Sequence, residues 1–260
     1  MRELHGEGKP LLQVEPFLEH LLAIHLFFAD GHAPADLVPD SDRHRVYKAE
    51  REATGALLDY YQVVMNGSFE ATLEAVIRFA RCDAARFRLR DALRAEAVAE
   101  RITGHRSVFV EAGSIHLSMW HRLRQAAPAP VNVKPVFIAH EALKSLGETG
   151  LLFGPGDQLT LTFIFHPDLK ETHRGRLLAA RALIYTKLIE KEEVTARENT
   201  FPHWLNELAC IRKVKQLDLA DCKRLFPLIR GFGSVDARRL VDDYLEKMKP
   251  LWQQREETRR

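Results

Sequence analysis

The residues of this chain best suited to chemistry gather around Val108–Trp120, the stretch VFVEAGSIHLSMW. An apolar run meets Gly113 and Ser114, and His116 follows at once. Read as a strand turning into a helix, this corner places an imidazole in the helix's first turn. The leading N–H groups of a helix are unpaired and partly positive, which suits an anion or a polarised carbonyl oxygen. Glycine lets the backbone turn and approach a ligand closely. An imidazole at such a place can serve as base, acid or metal ligand. It can equally be a histidine satisfied by the packing of the corner.

The segment before this corner carries a second signal. At helical spacing Phe87, Asp91, Arg94, Val98 and Ile102 share one stripe, flanked by Arg90 and Arg101. An acid and an arginine thus interrupt a core-facing side, and buried charges are costly unless paired. Either an Asp–Arg pair closes on itself, or the stripe lines a pocket where Arg90 or Arg94 grips an anion through a forked contact. Glu15 is the third candidate, since it ends the short run PLLQVE just before Pro16. With His116 it could hold a divalent metal ion or do acid–base work.

Other histidines carry less. His20 and His25 are five apart, as are His116 and His121, so neither pair shares a helix face as an i,i+4 metal pair does. His203, with Trp204 and Glu207, reads as packing or a contact surface. No Walker, GxSxG or HExxH motif occurs, which argues against the common nucleotide hydrolases, serine hydrolases and zincins.

Positioning these groups requires a scaffold. PLLQVE, VFVEAG, VKPVFIA and LTLTFIFH read as four strands, separated by helical stretches. Residues 17–31, stopping at Gly31, and 43 to about 102 are helical in spacing, with Ser41 and Asp42 as candidate caps, a break at Asn66-Gly67-Ser68 and a weak point near Cys82 and Asp83. Helices are expected at about 172–194, 203–215, 218–229 and 234–248. The expected fold is therefore α/β: a small, mainly parallel sheet with abundant flanking helices over residues 1–167, then an α-helical C-terminal extension over 168–260.

With 46% apolar and 28% charged residues the composition is that of an ordinary globular chain. A formal charge of +2, with acids and bases interleaved, gives no nucleic-acid surface. No apolar run reaches the ~18 residues of a membrane span. Three widely spaced cysteines form no CxxC pair and fit a reducing cytoplasm. A small-molecule or peptide substrate is the expected partner, and a homo-oligomer is compatible with the sequence.

The run RLRDALRAEAVAERITGHRSVFVEAGSIHLSMWHRL resembles the Tiki/TraB/ChaN-like clan, where an Arg-Asp/Asn helix precedes an apolar strand and a G-x-x-H corner. Arg90 and Asp91 match the dipeptide, and Gly113 and His116 match the corner; QVEP with Glu15 is similar to the clan's early glutamate-ended strand. The chain departs from the pattern in two places. The clan's first glycine–histidine motif is matched only in letters by Leu4-His5-Gly6-Glu7, as in an N-terminally truncated member, and LSMW lacks a glycine often found after the histidine. The resemblance implies an α/β fold and a hydrolase, metal-assisted in some members, acting on an ester or amide. His116 and Glu15 would then be catalytic or metal-binding, and Arg90, Asp91, Arg94, Gly113 and Ser114 would bind substrate. The alternative it implies is a non-catalytic scaffold that binds haem or another anionic ligand, or a protein partner.

Overall fold

The computed structural model describes residues 6–150, 152–192, 195 and 200–257. Leu4 and His5 lie outside the described residues. Every regular element among them is helical: α1 (Pro16–Ala29), α2 (Asp42–Asn66), α3 (Phe69–Arg101), α4 (Leu117–Ala126), α5 (Ile138–Ser145), α6 (Pro155–Phe165), α7 (His173–Leu188), α8 (Pro202–Lys215), α9 (Leu219–Ile229) and α10 (Ser234–Glu257), with a short 3-10 turn at Pro34–Asp36. This overturns the expected α/β fold with its parallel sheet.

The four expected strands fail for identifiable reasons. PLLQVE is irregular and ends at Glu15, which caps α1 with its carbonyl while Pro16 occupies the first helical position. VFVEAG and the run before Ile138 form no regular element, and no backbone ladder pairs them among the described residues. LTLTFIFH is helix. Its alternation mimics a strand, but Leu159, Thr160, Phe163 and Ile164 are its buried positions, an i, i+1, i+4, i+5 pattern. The preceding Gly-Pro-Gly-Asp starts the helix: Asp157 accepts the Gly154 N–H at 2.9 Å, and Pro155 sits in the first turn.

The helical expectations fare better. Ser41 Oγ accepts the His44 N–H and caps α2, and Ser68 does the same for α3 through the Ala71 N–H. The expected weak point at Cys82 and Asp83 is absent. Asp83 is buried within a continuous α3, and Arg86 bonds both it and Glu50.

The chain divides into two compact units, one of Met1–Thr54 with Cys82–Val136, the other of Gly55–Arg81 with Phe137–Arg260. In the second, α7 is the central helix, packing against α6, α8, α9 and α10. Its sequence explains why: Leu178, Ala179, Ala180, Ala182, Leu183, Ile184 and Leu188 are all buried, so it is apolar nearly all round, and its alanines admit close neighbours. Thr172 caps it by accepting the Gly175 N–H. No helix among the described residues is long and apolar enough to cross a membrane.

Beside α7, burial pushes the carboxyls of Asp157 and Glu207 above the usual range, and the Asp157 charge raises Glu207 further; the Tyr185 hydroxyl is driven up most by burial and then by the charges of Glu207 and Asp157. A carboxyl whose folded pKa is raised contributes fully below its unfolded pKa, and that contribution is lost as pH rises through the folded value. Glu207→Gln is therefore expected to raise the urea midpoint at neutral pH. The gain should shrink on acidification through the carboxylate range, which denaturation at two pH values will show.

Candidate functional site

In the first unit two apolar clusters flank a line of charged side chains on α3. One cluster is Ala95, Val98, Ile102, Met119 and Leu123, with Val14 against it; the other is Phe17, Ile24 and Val46, with Leu89 and Leu93 against it. Both draw on α3, so the residues between them, 90 to 94, are held from two sides. That is where the sequence placed its interrupting charges.

Glu15 and Arg90 form a forked pair, Arg90 Nε donating to Oε1 at 3.1 Å and the terminal nitrogen to Oε2 at 2.8 Å. Arg94 closes the group, its Nε 3.5 Å from Glu15 Oε2 and donating to the Val14 carbonyl at 3.2 Å. The Glu15 side chain is 9% exposed. The hydrogen bonds that Arg90 donates to Glu15 raise its guanidinium above its ordinary value, against the effect of burial. Two planar donors around one carboxylate compensate a charge that would otherwise be costly to bury.

Asp91 faces elsewhere. Its side chain is fully buried, and three donors converge on it. His116 Nδ1 lies 2.5 Å from Oδ1, Ser118 Oγ donates to Oδ2 at 2.7 Å, and the Met119 backbone N–H donates to Oδ2 at 3.1 Å. His116 is the residue preceding α4 and makes no side-chain cap bond there. Asp91 thus caps α4 from another helix, taking a leading N–H that a local Ser or Asp would ordinarily take. The carboxylate also benefits from the positive end of α4. Phe87, one turn earlier on α3, meets the imidazole edge-on with centroids 5.2 Å apart.

The structure therefore gathers Glu15, Arg90, Asp91, Arg94 and His116 but partners them differently from the sequence reading. Asp91 does not pair with an arginine of its own helix. Glu15 and His116 share no contact, because each is committed to a different residue of α3. Among the described residues no three His, Cys, Asp or Glu side chains come together to hold a metal ion. The Glu15 and His116 donor set expected for a divalent metal is therefore not assembled among the described residues.

Gly113 and Ser114 precede His116 in an exposed turn, where the Gly113 carbonyl accepts the His116 N–H at 3.0 Å. Gly113 is not among the glycines with left-handed φ, so the freedom expected of it is not what the turn uses. The helix end is also not an open anion seat, since Asp91 occupies it. Sequence reasoning missed Ser118, which satisfies Asp91 from within the quoted LSMW. The signal was available: a buried acid on the stripe needs donors, and a hydroxyl two residues past the histidine is one.

Chemically, a carboxylate facing a neutral imidazole takes the Nδ1 proton as its hydrogen bond, and in that tautomer Nε2 keeps its lone pair. No hydrogen bond takes up Nε2 among the described residues. The loop 107–114 leading to it is exposed along its length.

No family model and no solved structure matches the chain. A protein of Archaeoglobus fulgidus, described as uncharacterised, is 30% identical over 221 residues, which cover 85% of this chain and 71% of the archaeal one. The chain belongs to this protein's family. The archaeal relative's description carries no activity.

Proposed function

We propose that this protein hydrolyses an ester or amide, with His116 as general base and Asp91 holding the imidazole in the tautomer that exposes Nε2. Nε2 takes a proton from water as the water oxygen bonds to the acyl carbon, and the imidazolium then returns a proton to the departing oxygen or nitrogen. The observation that carries this reading is the 2.5 Å contact between Asp91 Oδ1 and His116 Nδ1. The Arg90-Asp91 and Gly113-x-x-His116 elements match the Tiki/TraB/ChaN-like clan in letters alone, since the α/β fold that resemblance implied is absent among the described residues, and Glu15 serves here as a positioning residue for Arg90 rather than as a catalyst. The three free cysteines accord with a reducing compartment such as the cytoplasm.

The test is a panel of nitrophenyl esters and anilides assayed with the wild type and His116→Ala. Turnover that disappears in the variant while its helical circular dichroism stays intact is expected; equal rates in both would sink the reading. A second reading, the non-catalytic scaffold, draws on the closure of Glu15 with Arg90 and Arg94, which leaves those arginines engaged before any ligand arrives. Its haem version requires a Soret shift on mixing with haem that His116→Ala removes.

A further inference from the structure

The face of α4 that begins at His116 continues with two residues the hydrolytic reading has not used. Trp120 lies one helical turn beyond His116 and Arg124 one turn beyond Trp120, so the three share a stripe. Long side chains on a helix lean toward its N-terminus. Arg124 follows this rule, with its guanidinium carbon 5.5 Å from the Trp120 ring centroid.

Two features make this stripe more than a packed face. Trp120 Nε1 is buried and has no hydrogen-bond partner among the described residues, although an indole N–H can only donate and a buried donor left unpaired is costly. Arg124 is exposed and forms no ion pair among the described residues. No acid lies between Glu111 and Glu141, whereas Arg122, Arg124 and Lys134 do. Since Arg90 and Arg94 are already engaged by Glu15, the anion-binding role the sequence suggested for them passes to Arg124, which meets the Trp120 ring but no acid among the described residues.

We propose that Trp120 Nε1–H and the Arg124 guanidinium form a seat for a carboxylate, one to two helical turns along α4 from the His116 base. The substrate is then an ester or amide that carries an acid group a few bonds from the scissile carbonyl. This rests on the hydrolytic reading for its chemistry but not for its binding step. The seat consists of a donor that needs an acceptor and a cation that needs an anion, and a carboxylate meets both.

The experiment has two arms. In the first, succinate is titrated into isotope-labelled His116→Ala protein while the three tryptophan indole N–H signals are followed by NMR, with Trp120→Phe identifying the relevant one. The Trp120 signal should move saturably to lower field, and Arg124→Gln should weaken that binding about 10-fold or more. An unmoved signal, or one that moves equally well in Arg124→Gln, overturns the seat. In the second arm the wild type is given the mono-nitrophenyl ester of succinate and nitrophenyl butyrate. The ratio of their kcat/KM values should favour the succinate ester by about 10-fold or more and fall toward one in Arg124→Gln; a ratio near one in the wild type counts against the seat. If neither ester is hydrolysed the general-base reading fails, while the indole titration still decides the carboxylate seat by itself.

Discussion

Asp91→Ala is expected to cost about 3–5 kcal/mol of folding stability, the largest loss from any single substitution in the first unit. The carboxylate is fully buried and receives His116 Nδ1, the Ser118 hydroxyl and the Met119 N–H. Removing it leaves three donors without an acceptor, each with a desolvation cost of roughly 1–3 kcal/mol where relaxation cannot restore it. It also strips α4 of its cap at a point where no local side chain can substitute, since His116 makes no cap bond. Met119 and Leu123 are held in their apolar cluster by α4, so loosening its first turn loosens that cluster as well. Urea denaturation followed by helical circular dichroism gives the figure. A loss below about 1 kcal/mol, the size of an ordinary surface effect, would mean the donors find water instead and that Asp91 is no structural keystone.

The contrast with Ser118 tests the same account from the donor side. One neutral hydroxyl bond to a carboxylate is one of three, so its loss leaves Asp91 with His116 and the Met119 N–H. The carboxylate's burial, rather than any one donor, sets the scale of the effect.

How much of this could be read from the sequence differs between fold and site. The long helices are legible because their caps and apolar spacing are local: Ser41, Ser68 and Thr172 each sit where a side-chain oxygen must meet a leading N–H. The strand expectations fail because a short apolar run carries no period of its own. In LTLTFIFH the alternation of two residue types satisfies both periods, and the deciding feature lay upstream in Gly154-Pro155-Gly156-Asp157, where a turn signal is also a helix start. VFVEAG has strand composition, yet Val108, Phe109 and Val110 are exposed at 48%, 77% and 37%. Their strand preference finds no partner among the described residues, and a strand is defined by its partner more than by its own residues.

The site was legible residue by residue but not pair by pair. Spacing along α3 could show that Asp91 and Arg94 interrupt an apolar stripe. It could not show that Glu15 arrives from 75 residues away to take Arg90, or that His116 arrives from 25 residues away to take Asp91. The reversed assignment, acid with arginine on one helix, is what helix geometry alone favours. Residues 90, 91 and 94 resolve it by pointing to different neighbours: Arg90 and Arg94 toward the entry to α1, Asp91 toward the entry to α4.

Asp91→Asn separates the chemical role of this pair from its structural one, and its expected effect on rate is large. The amide keeps the volume of the side chain, and its oxygen can still accept one or two of the three donors, so the stability loss should be well below that of Asp91→Ala. Its nitrogen, however, is a donor. Placed opposite His116 Nδ1 it requires Nδ1 to accept, which moves the ring proton to Nε2 and removes the lone pair that would attack water's proton. In hydrolases that orient an imidazole by a carboxylate, the same exchange lowers kcat by about 10⁴ with the geometry intact. His116→Ala is expected to lower the rate by at least ~10²–10⁴, the usual range for a general base. Measured on the most reactive ester of the panel, Asp91→Asn and His116→Ala should thus be comparably slow, and the double variant no slower than either, because both remove one function. If Asp91→Asn instead retains most of the activity, Asp91 serves only as the cap of α4 and the base must lie elsewhere. If the double variant is slower by the product of the two effects, the residues act independently and the dyad is not the catalytic unit.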